Sequence, residues 1–130
     1  MKLNNLTDVL EHEIKDLHSA EQQLLEALPA MAEAASADEL RDAFEMHLEE
    51  TREHVRRLEE VAEMLGTSVG SETCEAMEGL VQEGEELLED NDSGDALDAA
   101  LIAAAQRIEH YEIAAYGSAA TYAGQLGHDK

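Results

Sequence analysis

Tryptophan is absent from this chain, proline and cysteine occur once each, and lysine appears only at Lys2, Lys15 and Lys130. Each scarcity excludes something. A lone Cys74 can form no intrachain disulfide and belongs to no C-x-x-C pair, which fits a reducing cytoplasm. A lone proline, Pro29, bends the first helix at most and leaves the others uninterrupted. Aromatic residues make up 3% of the chain, so the core is expected to be aliphatic and closely packed through alanine. No apolar run can cross a bilayer: the longest, Ala99 to Ala105, is far shorter than the roughly 20 residues a spanning helix needs. Met1 to Thr7 lacks a hydrophobic run, so no signal peptide is expected, and the chain reads as cytoplasmic.

Basic residues are few as well. Against 31 Asp+Glu stand 8 Lys+Arg, for a formal net charge of -23. A field of that sign repels nucleic acid and anionic membrane and attracts cations. Most of the charge is accounted for by salt adaptation, because a dense carboxylate surface keeps a protein hydrated when salt screens repulsion. A halophilic source fits. Only acids on apolar faces call for a functional reading.

What is present is alanine, leucine and glutamate in helical periodicity. With 130 residues and 44% hydrophobic content, the chain is expected to form one domain, residues 1–130, around one core. The first helix runs from near Asn5 or Thr7 to about Ala35. Its seam is Leu10, Ile14, Leu17, Leu24, Leu28 and Met31, and the vacant central position of this heptad-like series is Glu21. A second helix starts from the capping box Ser36-Ala37-Asp38-Glu39 and stops at Gly66. The short turn between them implies antiparallel packing. A shorter helix, about Cys74 to Glu89, serves as a crossover. The last runs from about Asp95 to Gln125 and is expected to be the most buried. The fold class is therefore all-α: an antiparallel bundle of three long helices and one short crossover.

The acids on these faces carry the chemistry. On the last helix one column reads Ile102, Ala105, Glu109, Glu112, Tyr116, Ala119 and Ala123, in alternating steps of three and four. Two carboxylates one turn apart on such a face repel and are penalised by desolvation, and a bound cation is the simplest remedy. The bland alternative puts only one of the two inside. Glu21 needs a partner too, either a metal or a buried salt bridge to Arg52 or Arg107. On the second helix His47, Glu50 and His54 follow one another at three and four residues. Glu and His at one-turn spacing recur in carboxylate-bridged di-metal bundles; the alternative is a half-exposed histidine pair beside a surface acid, which suits His47 best. The expected metal ligands are Glu21, Glu50, His54, Glu109 and Glu112. Such a donor set suits iron, with manganese the other candidate, and open positions would bind O₂ or peroxide. Tyr111 and Tyr116 read as packing residues, and His110 lies off the column.

Other chemistries lack their signatures. His12-Glu13 is followed at the required position by Asp16, so the zinc-protease pattern fails. The acidic stretch around Asp90-Asn91-Asp92 resembles a calcium loop, yet counting from Glu89 the bidentate position holds Ala100. Gly-rich phosphate loops and a nucleophile elbow are absent.

Four stretches carry a family resemblance. They are Leu17-His18-Ser19-Ala20-Glu21-Gln22-Gln23-Leu24, His47-Leu48-Glu49-Glu50-Thr51, Cys74-Glu75-Ala76-Met77-Glu78-Gly79-Leu80 and, above all, Ala99 through Gly117. Together they resemble the YciE/YciF-type stress proteins of the ferritin-like superfamily. The resemblance implies a ferritin-like bundle, a dimeric assembly, and a di-iron centre with ferroxidase-like or peroxide-linked stress roles. It places metal ligands at Glu21, Glu50, Glu109 and Glu112. Members of that family continue beyond the position of Gln125-Leu126-Gly127 into a further acidic helix, so a bundle flank left open here is expected to be completed by oligomerisation. The competing expectation is a helical stress or assembly protein whose metal site is vestigial.

Overall fold

In the computed structural model, which describes residues 2–128, helices α1 (Leu6–Ala34), α2 (Asp38–Leu65), α3 (Glu75–Asp90) and α4 (Asp95–Gln125) make up the fold, with no strand among the described residues. α1 is the common partner, packing against α2, α3 and α4. Facing pairs set the directions. His18 and Glu21 of α1 meet Glu59 and His54 of α2, while Asp16 and Ser36 meet Tyr111 and Asp98 of α4. In both sets one number rises as the other falls, so α2 and α4 each run antiparallel to α1 and parallel to each other. The chain must then return the length of the bundle between them, and α3 is that crossover.

The α1 seam is buried from Leu10 to Met31, with Leu17 and Leu24 fully inaccessible. The core comes in two clusters along it. One joins Ala20 to Ala35 with Phe44, Met77, Leu97, Leu101 and Ile108. The other joins Leu10, Ile14 and Leu17 with Leu58, Ala62, Ala115, Ala119 and Ala123. Truncating one of the buried leucines to alanine would cost about 2–5 kcal/mol.

α4 is less buried than its composition suggests. The stripe against the bundle is Leu97, Leu101, Ala104, Ile108 and Ala115, while Ile102 and Ile113 are exposed. The column expected to face inward is thus rotated, with Glu109 outside and Glu112 inside.

Two connections explain how the helix ends are held. The expected capping box does not form, because α2 starts one residue late and its N-cap is Ala37, which has no capping side chain. The cap comes instead from α4: the buried Asp98 carboxylate accepts hydrogen bonds from the Ser36 and Ala37 backbone N–H groups and the Ser36 hydroxyl, each at 2.9 Å. At the other end of α2, Gly66 adopts the left-handed conformation, φ 76°, and closes the helix as expected. The start of α3 is pinned through Cys74. Its backbone N–H donates to the Ser19 hydroxyl at 2.8 Å, its carbonyl accepts from the Gln23 amide at 3.0 Å, and its thiol lies 3.1 Å from the Tyr111 hydroxyl, which donates to the Asp16 carboxylate.

Because Ser36 and Ala37 donate to it, the Asp98 carboxyl is held below its ordinary value. A depressed acid contributes stability that is present above the unfolded value, about 3.9, and lost as pH falls through the folded one. The substitution Asp98→Asn should lower the melting temperature by several degrees at neutral pH, with the gap closing below about pH 4; circular dichroism melts across that range check it.

Candidate metal centre

Between the two apolar clusters, at mid-height of the bundle, three helices each turn a polar group inward. α1 contributes Glu21, which is 0% exposed, α2 contributes His54, and α4 contributes Glu112, 8% exposed. One candidate ligand atom from each of the three lies within 4.8 Å of the others. His54 Nδ1 is 3.5 Å from Glu21 Oε2. Neither oxygen of Glu21 has a hydrogen-bond partner, nor does His54 Nδ1, although all are buried. Orphaned donors and acceptors of this kind are uncommon in folded proteins. Their convergence from separate helices is what a cation site requires, so the residues fit a bound metal.

The salt-bridge alternative for Glu21 does not hold. Arg52 turns outward to Glu49, Arg107 is exposed, and no lysine or arginine pairs with Glu21 among the described residues.

The two buried acids divide the work. Burial, reinforced by the nearby Glu112, pushes the Glu21 carboxyl up to about 10. Glu112 moves the other way. Burial is the largest influence on it and opposes its charge, but His47 and Glu21 together outweigh burial and hold it below the ordinary value. Two neighbouring buried acids do not ionise together readily, so the proton stays on Glu21 while Glu112 is ionised. His47 Nε2 lies 3.4 Å from Glu112 Oε1. This pairing chiefly raises the imidazole, with smaller contributions from the charges of Glu109 and Glu50.

Of the five expected ligands, the fold therefore brings Glu21, His54 and Glu112 together. Glu50 and Glu109 are exposed; they stand at the outer rim, close enough to act on His47. Two residues were undervalued in sequence. His47 reads in sequence as one of a half-exposed histidine pair, and half-buried it is, but its partner Glu112 is remote along the chain. The visible signal was its place in the same row as Glu50 and His54. Tyr116 read as packing, and its ring does pack on His54, with centroids 5.7 Å apart. Its hydroxyl, however, is buried beside the acids without a partner. Burial first, then the charges of Glu21 and Glu112, push that hydroxyl upward. Thr51 is fully buried on the α2 face, its hydroxyl donating to the His47 carbonyl at 2.7 Å.

In metal-free protein the raised Glu21 makes a signed prediction. Its contribution is intact below the ordinary carboxyl value of 4.5 and drains away as pH climbs toward about 10. The wild-type melting temperature should therefore fall relative to Glu21→Gln between about pH 5 and about pH 9, and the two should converge at about pH 4. Parallel curves across that range would show Glu21 to be solvated.

The protein YciF of Escherichia coli strain K12 is 45% identical over 131 residues, spanning 100% of this chain and 79% of that protein. The crystal structure of the E. coli stress protein YciF superposes with a TM-score of 0.91 at 45% identity, covering 97% of this chain and 80% of that one. YcfI from Rhodopseudomonas palustris, described as a putative structural protein, gives a TM-score of 0.91 at 41% identity, covering 98% and 82%. The model of the family described as a domain of unknown function, DUF892, matches residues 5–130, and the chain belongs to that family of YciF-type helical proteins.

Proposed function

We propose that the chain is a metal-binding protein in which Glu21, His54 and Glu112 hold iron, with manganese the other metal suited to this donor set. The observation that carries the reading is Glu21: a fully buried carboxylate, neither oxygen hydrogen-bonded, facing an imidazole nitrogen that also lacks a partner. Leaving an unpaired ion in such a place costs on the order of several kcal/mol, and a divalent cation reverses the sign of that penalty.

A second metal position is proposed beside the first, toward the rim. His47 and Glu112 would hold it, with Glu50 and Glu109 the further carboxylates at that rim. Bound in this way, iron supplies one-electron chemistry toward O₂ or peroxide, which gives the protein a ferroxidase-like or peroxide-linked role in stress. The chain's own residues have separate tasks. Glu21, whose carboxyl is raised by burial, would release a proton to solvent on holding a metal. Glu112 is already ionised through His47. The two apolar clusters keep bulk water from the inner position, where low dielectric strengthens the carboxylate–cation attraction. We further propose that the protein acts as one cytoplasmic domain and associates with copies of itself.

A second reading is a structural or assembly protein with an incomplete site. It is favoured by the exposure of Glu50 and Glu109, which leaves the rim position thinly furnished, and by the description of the R. palustris relative as a putative structural protein. Anaerobic titration with Fe(II) separates the readings. Catalytic metal binding predicts two equivalents per chain: the tighter one weakened at least tenfold by Glu21→Ala or Glu112→Ala, the weaker one alone lost in Glu50→Ala and Glu109→Ala. Iron uptake equal in wild type and Glu21→Ala would remove the proposal.

A further inference from the structure

A groove of about 720 Å³, the size of a small-molecule site, runs between α1 and α3. The two helices are parallel there. Cys74, at the start of α3, is bonded to Ser19, and Ser93, just past its end, is bonded to the Ala34 carbonyl. From His18 to Ala27 the α1 wall spans about 14 Å, at 1.5 Å per residue. Glu26 lines that wall. Opposite it, Glu78, Glu85, Glu86 and Glu89 follow one another along one face of α3, with Glu72 in the loop before them. No lysine or arginine lines the groove among the described residues, whereas Glu49, Glu53 and Glu60 of α2 are each paired with an arginine. Nor do these acids converge: among the described residues, the group with ion-holding geometry is Glu21, His54 and Glu112. Charge is spread along the groove, too dispersed for a single metal ion.

Exposed acids alone are accounted for by salt adaptation, but one buried group calls for more. His18 lines the groove at the end next to the 70–73 loop and is 5% exposed. Its Nε2 lies 3.1 Å from Glu59 Oε2. A carboxylate only accepts, so in the neutral ring Nε2 carries the proton and Nδ1 is left as an acceptor. Nδ1 is buried and has no partner, a condition that an N–H donor relieves. We propose that the groove binds a linear aliphatic polyamine. One end ammonium donates to His18 Nδ1, the others lie among the glutamates, and the methylene spacers rest on Ala27 and Val81, which also line the groove. Ammonium groups set at intervals match carboxylates set at intervals, which a point cation does not. The site is separate from the metal centre, and binding needs no metal.

Calorimetric titration of the full, metal-free chain with spermine tests this. The expected result is saturable binding of one molecule per chain in about 0.15 M salt. Glu78→Gln with Glu85→Gln should weaken it at least tenfold. Glu45→Gln with Glu63→Gln removes the same charge from exposed α2 positions outside the groove and should weaken it less than twofold. Ala27→Lys, which sets a competing ammonium in the groove from a half-buried position, should abolish binding while leaving the thermal melt and iron uptake unchanged. His18→Leu should weaken spermine at least fivefold; if that variant fails to fold, the charge pairs and Ala27→Lys decide alone. Absence of saturable binding, equal weakening by the two charge pairs, binding that survives Ala27→Lys, or displacement by equimolar Mg²⁺ overturns the proposal. So does a dimer in sedimentation that Ala27→Lys dissociates, which would assign the groove to a second copy of the chain. Iron uptake is read separately, so loss of the metal proposal and loss of this one are distinguishable.

Discussion

A fully buried carboxylic acid without a hydrogen-bond partner is the constraint around which this bundle is organised. Glu21 occupies a position where the α1 seam calls for leucine, and the polar groups of α2 and α4 gather at its level. The core is thereby split. One apolar cluster closes around α3 and the first half of α4, the other around the second half of α4 and the end of α2. Each half buries mainly aliphatic surface, and the polar contacts between His54, Glu21, Glu112 and His47 fall in the gap. The arrangement costs stability in metal-free protein, because ionising Glu21 there is unfavourable. Natural proteins violate packing rules of this kind mainly at functional positions, where another gain offsets the loss.

Much of this was legible in the sequence, for identifiable reasons. Glu21 stood out because a heptad seam has strict phase, and a single acid within it can face nowhere else. The extent of α4 followed from Asp95, Gly127 and unbroken periodicity, and the stop of α2 followed from Gly66. Which flank of α4 turns inward was not legible. Its two apolar columns are neighbours on the helix surface, and the choice depends on how α4 lies against α1. That choice buries Ile108 and Ala115, and it separates Glu112 from Glu109. The same limit hid His47, whose partner lies on another helix. The Ser36 capping box was a reasonable local reading that lost to a tertiary one: Asp98 supplies three hydrogen bonds where a Ser36 side chain would have supplied one.

The charge of the protein acts at two scales. At the surface, Arg56 and Arg57 are braced by Glu53 and Glu60 along α2. These solvent-exposed pairs weaken with salt and contribute little to stability. The inner acids are shielded from that screening by the apolar clusters above and below them. High ionic strength would therefore quiet the exterior while leaving the attraction of the centre for a cation largely intact, a useful separation for a chain so rich in acids.

The tether at the start of α3 has a consequence of its own. Cys74 is held by its amide, its carbonyl and its sulfur at once, and burial pushes its thiol up despite the neighbouring Tyr111 hydroxyl. In the closed bundle this sulfur is chemically silent. It becomes reactive only when the first turn of the crossover lifts away from α1, and no other cysteine competes for the reagent. The rate of alkylation under native conditions thus meters every opening that frees the start of α3, local or global, giving a built-in gauge of how often this flank of the molecule breathes.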